Sequence, residues 1–440
     1  MLKVEIKVDA ETTYTFLEEE NLIEGFSLTR KMDSDISSLV AEIEAGEVNL
    51  TLSNLFNEFN VLSENAPYKG LKNGQELKVY NDENLLFTGF VVDFVAPTST
   101  NAQSCNLRAV DRLQMLLNND ISAKSEIQIN ENMNFFEYFT TLFNAYGVLS
   151  SEIEIDANLE QIVLNYTILN GKTLAEQLNE ACKATDAYLY VNNMGKIILK
   201  SKSITGTPNI TFSRESDDHY LMSSEYGYGL FSSYNALKVG YTSTKLSDVQ
   251  NILSIGNLSV SAGDSTFENY ALGISNLYEL DNIKITSDSN SVLTSISATA
   301  STISFTINNP TTSEDIISID VYGKTIETAD AFLTYELGFD AVNQSLEVSS
   351  ILVQNKAYAE GLALKLYDRA MQPIPYIRAD VEIINFGLDL GTIVCIEDSE
   401  AEITYTGYVH TIEVEYDGNG YSFYSLGIKA LNEEEVSEDE

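Results

Sequence analysis

Carboxylates are what this sequence offers chemistry in quantity: 66 Asp and Glu against 25 Lys and Arg in 440 residues. At that density close acidic pairs are unavoidable, so Asp217-Asp218 beside His219, or Glu413 two residues before Glu415, carry little weight as acid/base pairs. A glycosidase needs two carboxylates held across a cleft, and no spacing here places two of them so. Asp218 and His219 are adjacent and would point to opposite faces of a strand, and no Gly-x-Ser-x-Gly elbow supplies a nucleophile. The trio reads as a surface loop. Gly-x-Gly occurs at Gly227 and Gly229 and again at Gly418 and Gly420; no helix follows the first and the second reads as a hairpin turn, so neither is a phosphate cradle. Asp288-Ser289-Asn290 lacks the central glycine and closing glutamate of a calcium loop. Cys105, Cys182 and Cys395 are odd in number, widely spaced and set among apolar neighbours. With only His219 and His410 beside them, they argue against a disulfide framework and against zinc. No catalytic, cofactor-binding or metal-ligating residue is assigned.

The elements that would have to position any such chemistry are mostly strands. A chain of this length accommodates about three domains, and a hydrophobic content of 44% supports folding throughout. Its net charge of −41 disfavours adhesion to nucleic acid or to anionic membrane. The same charge would let DNA slide past an acidic wall without sticking; it serves equally for solubility or for growth in high salt. The first sixteen residues alternate charge and hydrophobe as a strand does, unlike a signal peptide, and no apolar run reaches membrane-spanning length. A soluble product made in a reducing cytoplasm is expected, with no stable membrane insertion.

Two stretches more than three hundred residues apart repeat one pattern: Asn73–Val95 and Leu390–Val414. Each opens on a glycine (Gly74, Gly391), rises through an alternating strand and turns at an acidic or Asn-rich tip. Each returns through Thr-Gly-aromatic-Val, with the second glycine at Gly89 and Gly407. A glycine inside a return strand suits a sharply bent barrel strand, where a side chain would crowd the crossing backbone. Short strand patterns echo by chance in β-rich chains, but here a strand and a short amphipathic helix follow the first copy and a helix precedes the second, so the repeat looks like a domain and not merely a hairpin.

Along the chain, strands are expected at Leu2–Val8, Tyr14–Phe16, Gly25–Thr29, Leu39–Ile43 and Val48–Leu52, then a helix over Asp111–Leu117. A helix carrying Phe136, Phe139, Phe143 and Tyr146 as a core stripe stops at Gly147. A second helix starts after Thr173, with Glu176 at capping-box spacing, and leads into a hairpin that turns over Asn192–Gly195. Ser/Thr-rich alternation fills 247–345. A helix over Asn355–Met371 presents Ala359, Leu362, Ala363, Leu366 and Ala370 on one face and stops at Pro373 and Pro375. The expected fold is α+β, mainly β: a first tube-like barrel (1–119), a small α/β domain (120–203) and the start of a second barrel (204–246). A β-rich insert (247–345), the rest of the second barrel (346–432) and an acidic disordered tail (433–440) follow.

In order, the Leu50–Phe94 run with its N-G-x-x-L-x-V and F-T-G-F-V strands, the segment LNGKTLAEQLNEACKATDAYLYVNNMGKIIL, and the alanine-rich helix leading to D-L-G-T-I-V-C-I and T-G-Y-V resemble phage tail-hub proteins. That family spans baseplate hubs, related injection machines and the N-terminal regions of siphophage tail-tip proteins. The likeness covers most of the chain, with no firm counterpart for 247–345. It implies two tube-like barrels around a small α/β domain, and three chains making a ring of six similar units. It further implies a virion protein of the tail tip or baseplate, assembled in the host cytoplasm. There it would be a symmetry adapter between a hexameric tail tube or distal tail protein and a threefold spike, fibre or tail-tip protein. A tape measure protein would be a neighbour, and DNA would pass through without specific binding. Gly74, Gly89, Gly391 and Gly407 would be architectural. The alternatives are a cell-wall glycan-degrading tail-tip protein and a glycan-binding module in the insert.

Overall fold

The computed structural model describes residues 1–18, 20, 22–35, 42–56, 58–60, 64–95, 103–121, 129–167, 173–229, 234–274, 276–338, 345–371, 374–383, 388–416 and 422–431. The expected strand at Leu39–Ile43 falls mostly outside these, and Glu42 and Ile43 are not in a strand. The Gly418–Gly420 turn and the acidic tail lie outside the described residues.

Alternating residues build the first half: β1 (Leu2–Lys7), β2 (Thr13–Leu17), β3 (Ile23–Lys31), β4 (Glu47–Ser53), β5 (Glu76–Asn81), β6 (Asn84–Val95) and β7 (Ser104–Val110). Val48, Leu50 and Leu52 of β4 point inward, as a period of two requires. α1 (Arg112–Leu117) then leads into the small unit of β8 (Glu131–Asn134), α2 (Phe135–Asn144), β9 (Ile153–Ile155), β10 (Val163–Tyr166), α3 (Leu174–Thr185), β11 (Ala187–Val191) and β12 (Ile197–Ser201). Next come β13 (Ile210–Ser213), β14 (His219–Gly229), β15 (Ala236–Leu246), β16 (Gln250–Val260), β17 (Gly263–Ala271), β18 (Leu277–Thr286), β19 (Val292–Ala298), β20 (Thr302–Asn309), β21 (Asp315–Glu336) and β22 (Ser345–Ser349). The chain ends with α4 (Lys356–Met371), β23 (Ile374–Ile383), β24 (Ile393–Asp398), β25 (Ile403–Tyr416) and β26 (Ser422–Ala430).

The protein is an α+β fold dominated by strand. Thirteen strands follow the path β2-β1-β5-β6-β7-β4-β3-β25-β24-β13-β14-β23-β26, and β26 pairs back onto β25. The last six strands therefore close a barrel. The first seven form an open half-barrel, whose strand β3 joins β25 instead of closing on its own sheet. One apolar core runs through both halves and takes in Tyr188, Tyr190 and Ile198 from the β11–β12 hairpin.

β15, expected among the first strands of the second barrel, instead pairs antiparallel with β21 and parallel with β22. α4 packs on this layer, and its expected face is the buried one. Strand alternation in ALKVGYTSTKL announces a strand without naming its neighbour, and the partner here lies about ninety residues downstream. In α2 the buried stripe is Phe135, Tyr138, Phe139, Leu142 and Phe143, so Phe136, expected inside, is 37% exposed. The insert strands β16 to β20 and the first half of β21 enclose a separate core of Val260, Ile303, Phe305, Ile307, Ile319 and Val321.

Candidate functional site

The two echoing hairpins, β5–β6 and β24–β25, are built alike down to single hydrogen bonds. Gly74 and Gly391 both have φ in the left-handed region, +86° and +79°, which a side chain disfavours. Gly74 N–H donates to Val91 O at 2.7 Å and Val91 N–H to Gln75 O at 2.9 Å; Gly391 N–H donates to Val409 O at 2.7 Å and Val409 N–H to Thr392 O at 2.9 Å. Gly89 faces Leu77 and Gly407 faces Val394 across their ladders. A Cβ on Gly89 would strike Val110 O, and one on Gly407 would strike Lys429 O, in the next strand of each half. The register then slips at the same step, between Val91 and Asp93 against β7 and between Val409 and Thr411 against β26. The structure thus brings the four glycines into two equivalent pairs of places: Gly74 and Gly391 where the backbone turns left-handed, and Gly89 and Gly407 where the next strand's backbone comes close.

Around this frame lies a junction that sequence reasoning missed. Arg30 donates to Leu86 O at 3.2 Å in the first half and to Val191 O at 3.0 Å in the small α/β unit, and it pairs with Asp389 of the second half at 2.5 Å. Asp389 also accepts from Asn193 N–H at 3.2 Å. Asn193 O accepts from Thr88 Oγ1 at 2.9 Å, which pins the β11–β12 turn on β6. Deeper in, the Asp33 carboxylate stands 3.9 Å from Lys202 Nζ. The hydroxyls of Tyr188 and Tyr408 are 2.9 Å apart, and Lys429 Nζ lies 3.3 Å from Tyr188 Oη. Arg369 grips Asp186 through both guanidinium ends. Among the described residues, Asp33 Oδ2 and His410 Nε2 are buried without a hydrogen-bond partner.

Burial governs the protonation of this cluster. It pushes Asp33 up to about 6 against the pull of Lys202, and Lys429 down to about 7, helped by Lys202. Burial also lowers Lys202, and lowers His410 well below the usual imidazole range. One local signal existed for part of it: in β3 and just after, Phe26, Leu28, Arg30 and Met32 share the inward face, so Arg30 occupies a core position in the alternation. Asp33, Lys202 and His410 come from separate elements and had no such signal.

The acidic candidates stay apart from this junction. Asp217 and Asp218 are exposed, while His219 opens β14 with its ring edge-on to Phe212. Glu413 and Glu415 project from β25 opposite Thr29 and Ser27. Beside Asp288 and Asn290, Ser287 Oγ accepts from the Ser289 and Ser291 N–H groups in an ordinary turn, and Ser287 and Ser291 donate to Asp315 at the start of β21. The three cysteines are buried, and burial pushes the Cys105 and Cys182 thiols up to about 12. Among the described residues no group of three or more His, Cys, Asp or Glu could hold a metal ion, and no helix is long and apolar enough to cross a membrane. Shallow depressions of about 260 and 330 Å³ lie beside the insert and beside β12, the latter lined by Glu154, Tyr190, Lys200 and Asp389.

No family model and no curated protein matches the sequence. Solved structures match in fold over essentially the whole chain. The tail protein from Neisseria meningitidis MC58 is 9% identical with a TM-score of 0.56, the match covering 97% of this chain and 96% of that one. The 43 kDa tail protein of prophage MuSo2 from Shewanella oneidensis is 11% identical with a TM-score of 0.53, covering 98% of each. The chain has the fold of these tail proteins, and the resemblance drawn from its sequence holds at that level.

Proposed function

We propose that this chain is a structural component of a phage tail or tail-like particle, carried in the virion: a hub at the distal end of the tail. Three copies form a ring of six similar units that adapts a hexameric tube to a threefold tip and lines the DNA conduit. The observation that carries this reading is the in-chain joint. One polypeptide contains two equivalent hairpins, and β3 of one half is paired with β25 of the other, an arrangement that supports reading the chain as two neighbouring units of a larger ring. The fold shared with two tail proteins supports the same reading. Partners on the two faces would be the tube or distal tail protein on one side and a spike, fibre or tail-tip protein on the other, with a tape measure protein in the lumen. The role is architectural, with no catalysis. Light scattering on the purified chain, with negative-stain images down the particle axis, tests the reading. A ring of three chains with six lobes is expected, and a strict single chain at high concentration with no affinity for tube protein would sink it.

A further inference from the structure

β3 and β14 are counterparts. Each runs antiparallel to its neighbour, and each slips register at the same step: between Ile23 and Gly25 against β4, and between Leu221 and Ser223 against β23. Aligned on that bulge, residues 26–31 of β3 correspond to 224–229 of β14. β6 and β25 are likewise matched by the bulges at Val91/Asp93 and Val409/Thr411. Within the chain the β3 segment is covered, because β25 pairs with it from Thr411↔Lys31 to Tyr416↔Phe26.

The corresponding edge of β14 is bare. Among the described residues β14 meets β13 at Tyr220 alone on the side away from β23. Beyond that point side chains bridge the seam: Arg214 donates to Met222 O at 3.1 Å and binds Asp398, which accepts from Ser224 Oγ at 2.7 Å. Among the described residues β6 is bare in the matching place: its ladder with β5 ends at Phe90, Val91 still bonds Gly74 and Gln75, and from Asp93 to Val95 it is paired with β7 alone. Both bare edges carry exposed apolar side chains, Tyr228 at 60% and Val95 at 56% exposed. Neither edge bears the lysine or proline that ordinarily blunts an open strand.

We infer that the Ser224–Gly229 edge of β14 receives the Asp93–Val95 edge of β6 from a second copy of this chain, repeating between chains the joint that β3 and β25 make within one. The register follows from the in-chain template: Asp93 opposite Gly229, Phe94 opposite Tyr228, Val95 opposite Gly227. Met32 N–H donates to His410 O at 3.0 Å, which makes Ile412 and Arg30 a hydrogen-bonded pair two residues along. By the same parity the Tyr228 N–H faces the open edge and not β23. Donor and receiver edges lie on different halves, so the contact is head to tail and propagates until a ring closes. That the ring closes at three copies rests on the function proposed above.

The test is a Phe94→Cys/Tyr228→Cys double variant under mild oxidation. A hydrogen-bonded antiparallel pair sets α-carbons ~5.5 Å apart, inside the ~4.4–6.8 Å reach of a disulfide. The expected result is a ladder of two and three covalently joined chains on a denaturing gel, absent from either single variant. Tyr228→Pro, which removes an edge N–H without touching the β14–β23 ladder, is expected to shift the mass in solution from three chains to one while the single chain keeps its β-rich circular dichroism and cooperative unfolding. If the wild type forms rings while the double variant stays unlinked and Tyr228→Pro still assembles, this joint is wrong and the ring stands. A wild type that remains a single chain at every concentration overturns both.

Discussion

Gly407 is pressed against Lys429 O, and Gly89 against Val110 O, where a methyl group has no room that the backbone can yield cheaply. Gly407→Ala and Gly89→Ala are each expected to destabilise by about 1–3 kcal/mol, the usual cost of overpacking. Gly256, on β16, has open space around its missing Cβ, so Gly256→Ala should be neutral or slightly stabilising. Urea melts of the three variants check this, and equal effects at all three sites would remove the close-approach explanation. Lys429 offers a pH test. Folded, it gives up its proton near 7; unfolded, it holds it to ~10.4. Across that window the unfolded chain binds more protons, so this group makes stability rise with pH. Asp33 works the other way in the acid range. The fold keeps its proton up to about 6, the unfolded chain loses it near ~3.9, and stability falls as pH rises between them. Replacing Lys429 by Met should flatten the rise in urea midpoint between pH 7 and 10, and an unchanged slope would remove Lys429 as its source. These roles were partly legible. The glycines stood out because the hairpin repeats, whereas a buried Asp33 or His410 looks like any surface polar residue until distant elements close over it.

At the scale of elements, caps and periods carried most of the information. Thr173 Oγ1 accepts from Glu176 N–H at 3.3 Å, and the Glu176 carboxylate accepts from Thr173 N–H at 3.2 Å. This is the capping box that the Thr-x-x-Glu spacing implies. Thr173→Ala is expected to cost about 1 kcal/mol, read as a lower urea midpoint. No loss at all would mean that packing of Leu174, Leu178 and Ala181 alone fixes the start of α3. α4 was legible to within one residue, expected over Asn355–Met371 and found over Lys356–Met371, because its small apolar face has the helical period. α2 was legible as a helix but not in phase. Five aromatic residues lie between Phe135 and Phe143, which allows two overlapping stripes, and the tighter packing of Phe135 with Tyr138 and Phe139 selects the one that leaves Phe136 outside. Strand partners were the least legible feature, since a period of two fixes which face is buried and says nothing about which edge meets which. β15 is the instance, pairing across the whole insert with β21.

Across the whole molecule the insert joins the body through β15 and β21 and touches it again where Tyr278 packs edge-on against Tyr166. β21 is a 22-residue strand whose first half belongs to the insert sheet and whose second half pairs with β15. Where the two meet, Ser247 N–H donates to Thr325 O at 2.9 Å and Thr325 N–H to Ser247 Oγ at 2.9 Å, one step beyond the Leu246↔Ile326 pair. Ser247 and Thr325 are therefore placed like the last residues of two strands that a tight turn could join. The apolar cluster of the insert is distinct from the core shared by the two halves. Replacing residues 248–324 with Asn-Gly, the pair that favours a two-residue type I′ turn, should give a chain in which β15 and β21 form a plain hairpin. That chain is expected to stay β-rich by circular dichroism and to unfold in one cooperative step. It should melt somewhat lower than the parent, because Asn276 no longer bonds Ile326 and Tyr278 and Ala300 no longer pack on the body. If the halves assemble through β6 and β14 as inferred, neither edge is lost with the insert, and light scattering should still report three chains. An excised chain that folds and melts cooperatively yet stays single would make the insert part of the assembly surface; one that fails to fold would make its strands part of the body's own core.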